Sequence, residues 1–449
     1  MESSQAIDNF DANQERKELE DVIQRILDQA NLNNATACSV AVSKVLGLSN
    51  SVRNQDVETL EFNQDYGFGI TVYVGQQKGH ASTSDTSQSS IERTVLAALE
   101  IARQTGADPC AGLADKELMA TESHDLALDV PMGLTPSQAT EIALEAEQAL
   151  LDAGAQSDGV TFASHRSIHA YGNSHGFIAS HSSSRHVNSA VALARDEQGM
   201  QRDYYYTIGR DAQNLSDPKE VGQLAAKRAL KRLGSKTIAT GQYPVLFSPE
   251  IGAGFIGHFI SAIQGSKLYR KSSFLVDQLG NKLFPDFINI YERPYLLGGL
   301  SSRYYDGEGV ATREQHFVQE GYLKSYVLGS YSARKLGMTT TANAGGVHNL
   351  HVDNTGQTQD ELFKMMGTGL LITEVMGQGV NLVTGDYSRG ASGFWIENGE
   401  LIHPVEGITI AGNLKDMMLQ IQAIGNDVPH YLSTRTGSIL LDNMTVAAD

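Results

Sequence analysis

Cysteine is nearly absent: Cys38 and Cys110 are the only two in 449 residues, far apart and outside any C-x-x-C. That excludes a disulfide framework and fits a reducing compartment. No apolar run reaches the ~18 residues of a membrane span. The opening MESSQAIDNFDANQERKELED is acidic and lacks the apolar stretch of a secretory signal. Positive charge is also in deficit, with 34 Lys+Arg against 52 Asp+Glu and a net charge of −18. Such a chain repels phosphate backbones, so direct contact with nucleic acid is not expected. The densest basic run, Lys227 to Lys236, reads as a helix end, where cations offset the dipole. Together these absences describe a soluble, cytoplasmic protein without a membrane span.

What is present is ordinary for a chain with sizeable cores: 41% hydrophobic and 19% charged residues, over a length that suits two or three domains. Residues 1–12 read as a loose tail. From Gln14, the stripe Leu19, Val22, Ile23, Ile26, Leu27, Ala30 has helical spacing. Strand-like runs follow at Ala37 to Val42 and Phe68 to Val74, then a polar turn at Gly79 to Asp85. Ser89 is placed to cap a helix from Ile91 to Gln104. This first α/β unit spans 13–112, with a linker over 113–124. A second α/β unit, 125–238, starts a helix at Thr135 with Pro136 at its first position. Its period-2 stretches between Val160 and Ile208 suggest antiparallel strands, with turns at Gly172-Asn173 and Glu197-Gln198-Gly199. A helix from Pro218 to Leu233 closes the unit. The second unit echoes the first in layout, without a sequence repeat. The remainder, 239–449, is glycine-rich and mainly β, in the manner of a closed or sandwiched domain. A helix from Leu414 to Ile424 interrupts it and a strand from Leu440 ends it. The fold class is α+β: two helix–strands–helix units followed by a mainly β C-terminal domain.

The C-terminal domain opens on YPVLFSPEIGAGFIGHFISAIQGSKLYRKSSF, from Tyr243 to Phe274. An apolar strand meets Pro249, and Gly252, Gly254 and Gly257 spell G-x-G-x-x-G, with Asp277 about 20 residues on. After a strand, that pattern is a dinucleotide fingerprint. The fingerprint also needs a second parallel strand ending at the acidic residue. The segment after the helix is polar and basic, and Glu250 would put negative charge beside the phosphates. A helix using glycine for close packing is the simpler reading of the three glycines. A nicotinamide enzyme stays as an alternative, in which Gly254→Val would abolish dinucleotide binding.

The same stretch resembles the central element of the TldD/PmbA family. Segments such as GHASTSD, GNSHGFIASHSSSRHVNSAVALARD, GLLITEVMGQGVNLVTGDYSRGASGFWIENGE and VEGITIAGNLKDMMLQIQAIGND extend that resemblance over nearly the whole chain. In the TldD branch the helix carries H-E-x-x-x-H, two zinc ligands and a general base, and a cysteine near the C-terminus adds a further ligand. Here Ala253 and Gly254 stand at the first two positions, only His258 survives, and the last 20 residues contain no cysteine. Catalytic zinc needs about three protein ligands and a carboxylate to take a proton from the bound water. Ala and Gly supply neither. His258 then reads as a hydrogen-bonded packing residue. The segment GSKLYRKSSFLVDQLG is similar to the PmbA (TldE) branch. That resemblance implies a heterodimer in which a TldD-type metallopeptidase subunit holds the zinc and cuts unfolded peptides. This chain itself is expected to bind no cofactor or metal and to supply no catalytic residue. Peptide-antibiotic maturation and antitoxin degradation are the implied work. The family's older label, modulator of DNA gyrase, implies the alternative of a regulatory binding protein independent of proteolysis.

The histidines at 165, 169, 175, 181 and 186 are irregularly spaced and read as solvated strand faces. His348 and His351 lie three apart, so on a strand they point to opposite faces; residual metal binding shared with His258 is the remaining possibility there. Gly390-Ala-Ser392-Gly393 is no G-x-S-x-G elbow, reads as a strand turn, and gives no sign of a nucleophilic hydrolase. Lys267, Tyr269, Arg270 and Lys271, with Arg303, Tyr304 and Tyr305, combine Tyr and Arg as contact surfaces do. They are the candidates for pairing with the partner, for gripping peptide, or for a homodimer contact.

Overall fold

The computed structural model describes residues 10–197 and 199–448. The first helix–strands–helix stretch comprises α1 (Ala12–Leu32), β1 (Ala37–Arg53), β2 (Asp56–Val74), β3 (Gln77–Thr83) and α2 (Gln88–Gln104). The second comprises α3 (Pro136–Asp152), β4 (Gln156–Asn173), β5 (Ile178–Arg195), β6 (Met200–Gly209) and α4 (Pro218–Lys231). The two stretches do not form separate sheets. β1 pairs antiparallel with β4 from Ser39↔Asn173 to Val52↔Val160, and all six strands join in the order β3-β2-β1-β4-β5-β6. α1 and α2 bury Leu19, Ile23, Ile26, Ile91 and Leu99 against Val40, Phe68 and Ile70. α3 and α4 bury an alanine-rich surface against Val160, Phe162 and Ala190. Small side chains allow close approach there: a Cβ on Gly222 of α4 would lie 1.9 Å from the Ala146 carbonyl oxygen of α3.

Local chemistry sets the boundaries. Thr135 forms a capping box with Gln138, with Pro136 in the first turn, as its sequence suggests. Ser87, not Ser89, caps α2. Gly79 to Thr83 belongs to β3 rather than to a turn, and β4 runs to Asn173, so the chain reverses just beyond it. Residues 1–9 of the expected tail and Gln198 of the expected turn lie outside the described residues. Phe10 to Ala12 are not loose: Asp11 accepts from the Asn13 and Gln14 N–H groups, and Phe10 is buried, with the Arg166 guanidinium 4.7 Å from its ring.

The C-terminal part begins with β7 (Gly241–Phe247), α5 (Pro249–Ala262) and α6 (Gly265–Tyr269). β8 (Ile290–Glu292), β9 (Gln315–Gln319), β10 (Tyr322–Leu323), α7 (Ser330–Lys335) and β11 (Leu350–Val352) follow. Next come α8 (Gln359–Met366), β12 (Gly369–Met376), β13 (Asp386–Glu397), β14 (Glu400–Asn413) and α9 (Leu414–Leu419). The chain then forms β15 (Ile421–Ile424), β16 (Thr434–Arg435) and β17 (Ile439–Ala448). One sheet has the order β14-β13-β12-β7-β17-β15, and β14 also pairs with β17 through Ile408–Ala411, which curls it shut. A smaller sheet has the order β10-β9-β8-β11-β16. The residues expected to extend the last helix to Ile424 instead form β15, paired with β17.

β7 sits inside the curled sheet, between β12 and β17. Its alternation sends Val245 and Phe247 toward Phe255 and Phe259 of α5, and Leu246 toward Leu362 and Phe363 of α8. Each fully buried aromatic of this kind stabilises by ~2–3 kcal/mol. Among the described residues, no helix is long and apolar enough to cross a membrane.

Candidate functional site

α5 is a helix because Pro249 fits its first turn and because Phe255, Ile256, Phe259 and Ile260 recur at helical spacing on one buried face. Glu250 lies near the positive end of the helix dipole and accepts from Arg228 (2.9 Å) and the Tyr431 hydroxyl (3.0 Å). Burial works to raise its pKa, but the Arg228 charge and hydrogen bond outweigh it and hold the carboxyl below its usual range. The other face carries Ala253, Gly254 and Gly257. A Cβ on Gly254 or Gly257 would meet nothing within 4 Å. Only Gly252 is used for close packing, 3.1 Å from Ile439. The expectation that all three glycines serve helix packing is therefore corrected at two of them. The dinucleotide pattern also lacks its second strand: β7 pairs in parallel only with β12, and Asp277 sits in a left-handed turn (φ 60°).

His258 is half-buried, its ring edge-on to Tyr387 at 6.1 Å. Burial, then Arg389, lowers its pKa. It is a packing residue, though its partner is an aromatic ring rather than the expected hydrogen bond. Where H-E-x-x-x-H would supply a histidine and a glutamate stand a half-buried Ala253 and an exposed Gly254 whose Cβ would meet nothing within 4 Å. Among the described residues, no three His, Cys, Asp or Glu side chains come together as a metal group. The residues present do not fit a catalytic zinc.

His348 and His351 have separate environments. Glu292, 1% exposed, accepts from Gln315, from the Asn343 amide, and from His348 through both its backbone N–H and its ring. His351 stacks on Tyr291 at 5.6 Å, and His316 is tilted against the same ring at 5.2 Å. Burial, reinforced by Arg435 and Arg293, pushes His351 down to about 4. The histidines at 165, 169, 181 and 186 on β4 and β5, and His175 in the turn between them, also depart from expectation, since none of the five is fully exposed. His186 is wholly buried between Ser164 and the Val130 carbonyl. The β4–β5 register pairs His169 with His181, rings 5.5 Å apart, and loops of the C-terminal part cover this end of the sheet.

That cover encloses a cavity of about 570 Å³ between the β4–β6 face and loops at 300–307, 344–348 and 431–433. Its walls include Arg185, Arg210, Arg303, His169 and His181 and no aspartate or glutamate. Arg210 donates to the carbonyls of Gly299, Ser184 and Leu300. Burial, then the charges of Arg185 and Arg303, lowers its pKa to about 10. Burial followed by Arg303 pushes His169 down to about 4 and His181 well below its usual value.

The contact candidates divide between this cavity and the outer surface. Arg303 lines the cavity. Tyr305, 3% exposed, donates to Ala179 O and meets His181 at 3.3 Å, so it is an internal contact rather than a surface one. Tyr304 packs on Tyr305 and His124. Arg270 and Lys271 are exposed beside α6, with Arg270 over the Tyr269 ring and Tyr269 edge-on to Tyr331. Lys267 and Tyr269 are half-buried, and Tyr269 lines a second, shallower cavity of about 400 Å³. Both cavities share Ala344, Gly345 and Gly346. Sequence reasoning missed Arg185, Arg210 and Glu292, and no local signal marked them, since Asp306 and Glu308 lie three and five residues after Arg303.

Comparison with known proteins agrees with this architecture. Models of the PmbA/TldA metallopeptidase match in three parts: domain 1 over residues 38–102, the central domain over 131–233 and the C-terminal domain over 240–448. The metalloprotease PmbA of Escherichia coli O157:H7 is 47% identical over 436 residues, covering 96% of this chain and 97% of that protein. A PmbA homolog of Haemophilus influenzae is 47% identical, covering 97% of each. A crystal structure from Bacteroides thetaiotaomicron, labelled a modulator of DNA gyrase, superposes with a TM-score of 0.91 at 27% identity, covering 96% of this chain and 99% of that one.

Proposed function

The chain belongs to the PmbA branch of the PmbA/TldD metallopeptidase family, and from that premise we propose that it is a non-catalytic subunit. It pairs with a TldD-type subunit that holds the zinc, in the cytoplasm, and the pair acts on unfolded peptides such as peptide-antibiotic precursors and antitoxins. The observation that carries the reading is the open face of α5: Ala253 and Gly254 stand where a ligand and a general base are required. The reading is tested by mixing this chain with an H-E-x-x-x-H relative from the same genome. Cleavage of an unfolded peptide only by the mixture, together with co-elution of the two chains, is expected. Cleavage by this chain alone refutes it.

A second reading is a regulatory protein that binds a target without proteolysis, favoured by the gyrase-modulator label on the Bacteroides structure. It requires stable capture of gyrase by this chain in the absence of any TldD-type subunit. The net charge of −18 directs such binding to protein rather than to DNA.

A further inference from the structure

We propose that the cavity over β4–β6 is a binding site for a small oxyanion, a carboxylate or a phosphate, gripped by Arg185, Arg210 and Arg303. In a chain of net charge −18, a 570 Å³ cavity that gathers three guanidiniums and no carboxylate in its walls is an inversion of the surrounding charge. Arg210 and Arg303 are half-buried and Arg185 is exposed; like charges gathered in one cavity repel, and structural arginines ordinarily have an acidic partner. Arg210 has a structural reason to be there, since three of its N–H groups hold backbone carbonyls. Arg185 and Arg303 do not: among the described residues neither forms an ion pair. The buried carboxylates behind the wall are already saturated. Glu292 is taken by Gln315, Asn343 and His348, and Asp306 by the N–H groups of Glu308, Val310 and Ala344.

The rest of the wall suits the same ligand. Ser167 and Ser183, hydrogen-bonded to each other at 2.9 Å, leave one hydroxyl proton for a ligand, and Gly345 and Gly346 (φ 99° and 124°) bring main chain to the rim with no side chain in the way. Planar guanidiniums match carboxylate and phosphate oxygens in pairs. The site stands on the cavity alone; only the peptide form of the ligand draws on the peptidase-subunit reading.

The test is calorimetric titration of the full chain at constant ionic strength. One arm uses inorganic phosphate, and the other compares a short unstructured peptide with its C-terminal amide. Saturable one-to-one binding of phosphate, or of the free-acid peptide and not its amide, is expected, and the arm that binds names the source. Arg303→Gln and Arg185→Gln should each weaken it about ten- to hundredfold, with unfolding midpoints unchanged, while Arg195→Gln, away from the cavity, leaves it alone. Absence of binding in both arms, or affinity indifferent to Arg303→Gln and Arg185→Gln, overturns the proposal. Loss of the peptide arm with retention of the phosphate arm counts against the peptidase reading and not against the site.

Discussion

Exposed glycine inside a helix is destabilising unless something needs the space, and α5 provides a test. Gly254 and Gly257 lie in the interior of α5, have helical backbone, and would carry a Cβ into open space. Replacing each by alanine removes unfolded-chain entropy and introduces no clash, so Gly254→Ala and Gly257→Ala should each stabilise by about 0.5–1 kcal/mol. Residues three apart on a helix are neighbours, so the double variant should gain at most the sum, about 1–2 kcal/mol. For an unfolding unit of about 200 residues this raises Tm by roughly 2–4 °C per kcal/mol. Gly252→Ala is the internal control, because its Cβ would press on Ile439 at 3.1 Å and on the Gly437 carbonyl at 3.4 Å. Little gain, or a loss, is expected there. Gly222→Ala should cost more than about 2 kcal/mol, because a Cβ 1.9 Å from the Ala146 carbonyl oxygen forces α3 and α4 apart. Urea unfolding followed by circular dichroism ranks all four. A loss of stability in Gly254→Ala or Gly257→Ala would refute the reasoning and show that this face of α5 is covered in solution.

Restoring the first two motif positions with Ala253→His and Gly254→Glu should leave the fold intact, with stability within about 1 kcal/mol. Zinc retained after dialysis should still fall well short of one per chain, because the third ligand is missing; stoichiometric zinc would contradict this. Glu292→Gln should destabilise by about 2–3 kcal/mol in denaturant titration, since it presents an amide to donors that now share a buried carboxylate; a change under about 0.5 kcal/mol would contradict the network's role. His169 and His351 have folded pKa values of about 4 against an ordinary 6.5, so the unfolded chain binds more protons between those values. Stability should therefore fall as pH drops from about 6.5 to about 4, and His169→Asn should flatten that slope; Asp306, raised to about 6 by burial, acts in the opposite sense. Cys38 is buried, its thiol pushed up to about 12, so a thiol reagent should label the half-buried Cys110 in the native chain and Cys38 only after unfolding.

The parts legible in the sequence were those with local causes. Thr135 and Pro136 mark a helix start because capping chemistry is confined to four residues, and Tyr243 to Phe247 marks a buried strand because both its faces are covered. The fusion of two units into one sheet was not legible, because the β1–β4 register depends on residues more than 100 positions apart. Gly254 and Gly257 read as packing residues because sequence gives no sign of whether a glycine faces a neighbour or open space. His169 and His181 read as solvated because the loops that cover them arrive from residues 300–348 and 431–433. The arginine cavity escaped notice for the same reason: no window of sequence contains Arg185, Arg210 and Arg303 together.

The most direct measurement of the central claim is the zinc content of the purified chain after exhaustive dialysis, by elemental analysis. A value near zero is expected, since Ala253, Gly254 and a C-terminus without cysteine leave His258 as a lone donor. A value near one zinc per chain would contradict the non-catalytic reading, and His258, His348 and His351 would become the ligands to substitute.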